Sequence, residues 1–136
     1  MRRQQQDGEI GIGEESDIIV VRKTVREAAA RLGFGLTDVT RIVTAASELA
    51  RNVFLYAGSG SMRWRTLDGS AGAGIELTFQ DNGPGIPDIG LSMQDSYSTG
   101  AGLGIGLPGA RRLMGEMEIH SEVGRGTTVT VRKWRR

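Results

Sequence analysis

Two long helical stripes of apolar residues fill the first half of the chain, and segments of strand type dominate the second. That order restricts the fold to helices packed against one side of a sheet. In the first stripe Ile18, Val21, Val25, Ala28, Ala29 and Leu32 recur at helical spacing, after a cap at Ser16 or Asp17 and before a stop at Gly33. The second runs from a Thr37 cap, with Asp38 favourable to the helix dipole, to about Tyr56, and its core positions are Val39, Ile42, Val43, Ala46, Leu49, Ala50 and Val53. Residues 61–67 and 74–80 read as two strands of a hairpin, and residues 9–13 as a short edge strand. Residues 88–93 read as a turn of helix, 107–114 as a third helix with Pro108 in its first turn, and 116–122 and 127–134 as a closing strand pair turned at 123–126. The expected fold is a two-layer α/β sandwich (α+β): a mixed, mostly antiparallel sheet of five strands with helices on one face.

The 136 residues suffice for one domain, expected over residues 9–136 after a flexible polar N-terminus, residues 1–8. With no cysteine there is no disulfide framework, thiolate nucleophile or Cys-based zinc site. No apolar run approaches the ~18 residues of a membrane span, and the start is too polar for a signal peptide. A cytoplasmic, soluble protein is expected. A net charge of +1 gives no reason to invoke nucleic acid or a membrane as partner. The basic tail from Arg132 to Arg136 reads as a solvated terminus.

Chemistry enters through one helical turn and two glycine clusters. Glu48 and Asn52 stand i, i+4, so the acid and the amide are about 40° apart on one helix face. Downstream come Asp81-Asn82-Gly83-Pro84-Gly85-Ile86-Pro87 and Gly100-Ala101-Gly102-Leu103-Gly104-Ile105-Gly106, whose bare backbone N–H groups can wrap phosphates. The second cluster runs straight into a helix, whose N-terminus favours anions. An acid, a metal-binding amide and a phosphate cradle are parts that phosphoryl transfer needs.

The alternatives fail on context. Of 17 cationic residues only Lys23 and Lys133 are lysines, and neither lies between Gly58 and Arg132, so a P-loop is ruled out. Gly104 to Gly109 matches G-x-G-x-x-G, yet no apolar strand precedes it and too little chain follows for a Rossmann unit. His120 lies in an expected strand and reads as structural or exposed. Trp64 and Trp134 read as packing residues, and Arg51 as either a solvated helix arginine or a contact to a phosphate or partner. Residues 87–99, between the two clusters, read as a short lid over a triphosphate.

In order, Glu48-x-x-x-Asn52, Asp81-x-Gly83-x-Gly85, Gly100-x-Gly102-x-Gly104-x-Gly106 and Gly124-x-Gly126-Thr127 resemble the N, G1, G2 and G3 boxes of the GHKL family, which shares the Bergerat ATP fold. Residues 48–58, 81–89 and 102–114 are most similar to its anti-sigma-factor-type serine kinases. The resemblance implies that Glu48 is the catalytic base and that Asn52 ligates Mg²⁺. It implies that Asp81 holds adenine, that Gly83, Gly85 and Ile86 border the ring, and that Gly100, Gly102, Leu103, Gly104, Ile105 and Gly106 line the phosphates. Thr127 or Thr128 would close the adenine pocket.

For function it implies an ATP-dependent protein serine/threonine kinase of a bacterial partner-switching, stress-response module. Such a kinase phosphorylates a serine on a STAS-domain antagonist, is held by it in a stressosome-like assembly, and when released activates a metal-dependent serine phosphatase. The alternative is an anti-sigma factor kinase, or a nucleotide-gated adaptor that sequesters a sigma factor. In that type a histidine commonly follows the N-box asparagine by four residues, where Tyr56 stands here.

Overall fold

A computed structural model describes residues 6–69, 72–83 and 106–135. Among them run β1 (Asp7–Ile12), α1 (Asp17–Arg31), α2 (Leu36–Ala57), β2 (Gly60–Gly69), β3 (Gly72–Asp81), α3 (Gly106–Met114), β4 (Glu116–Glu122) and β5 (Gly126–Trp134). The strands form one sheet in the order β1-β2-β3-β5-β4, and every described pairing is antiparallel. The helix expected at 88–93 and the segment 87–99 lie outside the described residues. No helix among the described residues is long and apolar enough to cross a membrane.

Strand alternation sorts the two faces of the sheet. Met62, Ile75, Leu77, Phe79, Val129 and Val131 are buried and join one core with Val21 and Val25 of α1, Ile42 and Leu49 of α2, and Ala110 and Met114 of α3. The intervening positions, among them Arg63, Glu76, Thr78 and Thr130, lie on the helix-free face. The expected two-layer sandwich is therefore the observed one. Its outer strands are acidic: Asp7 and Glu9 on β1, and Glu116, Glu118 and Glu122 on β4.

Helix ends depart from expectation in detail. Gly35, in extended conformation, is the N-cap of α2, and its carbonyl accepts the Val39 amide at 2.9 Å. Thr37 therefore lies within the first turn. Burial of Phe34 just before Gly35 pins the chain where the helix begins. At α1 the cap hydroxyl of Ser16 makes no capping bond, whereas the Asp17 carboxylate accepts the amides of Gly13 (2.8 Å) and Glu14 (2.9 Å). These two bonds hold its pKa below the ordinary carboxylate value. β1 begins at Asp7, with the Gln6 amide bonded to the Thr66 hydroxyl.

On the helix-free face one buried acid joins three strands. Glu76 of β3 accepts bonds from Arg65 of β2 (2.7 Å) and Arg132 of β5 (2.6 Å), and Arg132 also approaches Glu118 of β4 at 3.9 Å. Burial pushes the Glu76 pKa up, but the hydrogen bonds and charges of the two guanidinium groups outweigh it and leave it below the ordinary value. A depressed pKa in the folded state means stability that is present above the unfolded carboxylate range and lost as pH falls through the folded value. Glu76→Gln should cost about 2 kcal/mol at neutral pH, a figure held down because Arg65 is well exposed to solvent. In urea titrations the gap between wild type and variant should narrow as pH drops below that range; a gap independent of pH would refute the assignment.

Candidate functional site

One end of the molecule is set by backbone contacts. Ile12 pairs with Gly60, and Gly60 with Asp81, so the ends of β1 and β3 and the start of β2 meet there. The C-terminal end of α2 joins them, because a Cβ on Gly83 would sit 2.6 Å from the Cβ of Ala57. The bare face of Gly83 is thus used by helix packing.

Asp81 follows Phe79 in alternation and so points to the helix side. Its Oδ1 accepts the amides of Gly83 (2.8 Å) and Thr127 (3.3 Å), tying the end of β3 to the start of β5. Its Oδ2 has no hydrogen bond among the described residues. Gly126, at φ +113°, is required by the same junction: a Cβ there would overlap the Asp81 carbonyl oxygen and lie 2.9 Å from the Asn82 Cα. Gly126 was not among the expected site residues, although it directly precedes Thr127 in Gly124-x-Gly126-Thr127.

Register separates the two threonines that the sequence left as alternatives. Thr127 lies on the helix side with Asp81, its hydroxyl 2.9 Å from that of Ser121. Thr128 pairs with Gln80 and His120 and belongs to the opposite face. An open cavity of about 420 Å³ at this end is lined by Asp81, Gly126 and Thr127 together with Gln80, His120, Arg125 and their neighbours. His120 is exposed on the edge strand. Trp64 packs against the core, and the ring of Trp134 lies over Gly69 and Gly74 with its Nε1 donating to Glu116 at 2.6 Å.

The opposite end is tied by Lys133. Its Nζ donates to the Leu113 carbonyl at the C-terminus of α3 (2.8 Å) and lies 3.9 Å from Asp38 in the first turn of α2. A cation there also complements the helix dipole. The sequence reading placed Lys133 in a solvated tail; its side chain is only 16% exposed. With α2 starting and α3 ending beside Lys133, the two helices run antiparallel. The nine residues of α3 span about 13 Å, a length that along α2 leads from Asp38 to about Ser47. Gly106, at φ +63°, therefore starts α3 beside the turn that carries Glu48 and Asn52.

Both residues lie on the shoulder of the buried stripe of α2, next to Ala45 and Leu49, and both are half-buried. Glu48 has an 18% exposed side chain and a loose ion pair with Arg51 at 3.8 Å. Such a contact is worth little, so the carboxylate leaves it at small cost. The Asn52 amide makes no hydrogen bond among the described residues. No group of three or more acidic, histidine or cysteine side chains among the described residues is placed to hold a metal. Gly85, Ile86, Gly100, Gly102, Leu103, Gly104 and Ile105 lie outside the described residues.

The described strands and helices have the fold of a known ATPase family. Residues 37–136 match the family described as histidine kinase-, DNA gyrase B- and HSP90-like ATPase, and the chain belongs to it. Within that family it is 46% identical over 127 residues to the serine/threonine-protein kinase RsbT of Bacillus subtilis, covering 93% of this chain and 96% of that one. It is 32% identical over 121 residues to the anti-sigma F factor of Geobacillus kaustophilus, covering 82% and 80%. The crystal structure of the RsbU and RsbW domains of a Mycobacterium tuberculosis protein shares the fold, with a TM-score of 0.66 at 20% identity, over 97% of this chain and 32% of that one. The enzyme class expected from the sequence, a protein serine/threonine kinase in an ATPase family, is the class this RsbT relative carries.

Gly126→Ala should destabilise the protein by about 2 kcal/mol or more, since both the positive φ and the contact with β3 oppose a side chain. Gly124→Ala, at positive φ but with open space around it, should cost less. Equal losses in thermal unfolding would show that the Asp81 junction is not what requires Gly126.

Proposed function

We propose that the chain is an ATP-dependent protein serine kinase of the partner-switching kind, acting in the cytoplasm on a serine of a STAS-domain antagonist. The observation that carries the reading is the placement of the Glu48/Asn52 turn beside the start of α3, on the helix whose C-terminal end meets the Asp81 junction. The Asp81 Oδ2, without a hydrogen bond among the described residues, suits an exocyclic amine such as adenine N6, while Oδ1 is held by two amides and keeps the carboxylate in place. Thr127, on the same face, borders that pocket.

At the other side of the site the α3 N-terminus and the glycines before it would receive the phosphates. Asn52 offers a neutral oxygen suited to Mg²⁺, which keeps most of its waters and takes its remaining ligands from phosphate. The bound ion would neutralise charge on the phosphates of ATP. Glu48 would accept the proton of the incoming serine hydroxyl as its oxygen bonds to the γ-phosphorus and the bond to ADP breaks. A carboxylate with an ordinary pKa near ~4.3 is a weak base toward an alcohol, so placement contributes more than basicity. When not held by its antagonist, the kinase would engage and activate a metal-dependent serine phosphatase. A stressosome-like assembly would hold the antagonist-bound form.

Sequestration of a sigma factor is the second reading, supported by the 32% identity to an anti-sigma F factor. Glu48 discriminates the two, because a pure adaptor needs no base. Incubation with labelled ATP and cell extract, followed by phosphosite mapping, should identify a serine acceptor. Glu48→Ala should lower transfer at least about 100-fold while leaving ATP affinity within twofold. Asn52→Ala should weaken Mg²⁺-dependent nucleotide binding about tenfold, read by calorimetry with and without the ion. Full activity in Glu48→Ala, or sigma-factor capture with no transfer, would defeat the kinase reading.

A further inference from the structure

Ser121 of β4 stands directly opposite Thr127 of β5, and side chains opposite one another in an antiparallel pair share a face of the sheet. That face is the helix side, because Met117 and Ile119, which alternate with Ser121 along β4, pack against the core. The Asp81 carboxylate, the Thr127 side chain and the Ser121 hydroxyl therefore form a row across the end of the sheet. Each member is bonded to the next. The Thr127 amide donates to Asp81 Oδ1 at 3.3 Å, and the Thr127 hydroxyl lies 2.9 Å from that of Ser121. Ser121 Oγ is also 3.3 Å from the Gly126 carbonyl oxygen. Asp81, Ser121, Gly126 and Thr127 all line the open cavity at this end.

Counting protons gives the row its meaning. A hydroxyl has one proton to donate and lone pairs that accept. When Ser121 donates to the Gly126 carbonyl, the Thr127 proton is drawn onto Ser121, and Thr127 turns only lone pairs to the cavity. When Ser121 donates to Thr127, the shorter of these two contacts, the Thr127 proton is released toward a ligand. The direction of one bond thus decides whether the group beside Asp81 is an acceptor or a donor. An adenine whose N6 amine donates to Asp81 Oδ2 has an acceptor on each side of that amine, N1 and N7. Thr127 can meet either of them only as a donor, since lone pair against lone pair leaves both groups unpaired.

We infer that Ser121 is a positioning residue for the base: it donates to Thr127 and so makes the Thr127 hydroxyl a donor to the ring nitrogen beside the amine. This rests on the ATP reading and adds to it the residue that sets the polarity of the pocket wall. Asp81 and Thr127 then present an acceptor next to a donor, the complement of the adenine edge. A purine with a carbonyl in place of the amine would set its oxygen against the Asp81 carboxylate and be rejected.

The test is calorimetry on the full chain with Mg²⁺ and ATP, 1-deaza-ATP or 7-deaza-ATP, each analogue lacking one of the two ring nitrogens. Wild type should bind one of the analogues about fivefold more weakly than ATP. Ser121→Ala should weaken ATP by a similar factor and bind that analogue as tightly as it binds ATP. Ser121→Thr, which keeps a hydroxyl at the position, should restore the discrimination, and Thr127→Val should abolish it as Ser121→Ala does. A wild-type ratio retained in Ser121→Ala, however weak its binding, would mean a merely structural role and overturn the inference. A wild type that binds both analogues as it binds ATP would overturn it too, and both results leave the kinase reading intact. Unchanged ATP affinity in Asp81→Asn would remove the base assignment at Asp81, and this inference with it.

Discussion

The meeting of β3 with β5 at Asp81 is the constraint on which the rest of the structure depends. The two strands are far apart in sequence: Asp81 and Thr127 are 46 positions from one another. Closing a loop of that length costs about 3 kcal/mol in chain entropy before any constant term. Two amide bonds to one carboxylate, worth about 1 kcal/mol each, do not offset that. The apolar pairs Phe79 with Val129 and Leu77 with Val131 supply the remainder by burial, and Gly126 lets the backbones approach closely enough for the pairs to form. A candidate base-binding group is thus also a structural one, half of its hydrogen-bonding capacity being committed to the fold.

A second tie balances the first at the far end. Lys133 reaches from the end of β5 to the last turn of α3 and the first turn of α2 and fixes how the two helices lie. Because α3 is short, whatever fixes its C-terminus fixes its N-terminus as well. The acid and amide on α2 and the amides at the start of α3 therefore belong to one rigid frame, with the sheet as its floor.

Much of this was legible in the sequence because the signals are periodic. The stripes from Ile18 to Leu32 and from Val39 to Val53 lie in α1, with Leu32 its C-cap, and α2, and each expected strand from Ser61 onward is present to within a few residues. What was not legible depends on neighbours remote in sequence. Thr37 has the right chemistry for a cap, but burial of Phe34 starts the helix earlier. Nothing local distinguishes Thr127 from Thr128; the pairing of Gln80 with Thr128 does. Lys133 looks like part of a basic tail until β5 is laid across the end of α3. Nothing near Gly83 in sequence shows that its bare face meets Ala57. The family resemblance foresaw the class of protein because its boxes are spaced by the fold, and spacing survives in sequence even where contacts do not.

The acidic outer strands carry one more consequence. When two copies approach rim to rim, β1 and β4 bring Asp7, Glu9, Glu116, Glu118 and Glu122 into mutual repulsion, which discourages the sheet from growing into a continuous ribbon. Associations made by such a molecule are steered away from its strand edges to faces where contacts between side chains can be made and broken without merging backbones. For a protein handed from one binder to the next, that is the difference between a reversible hand-over and an irreversible deposit.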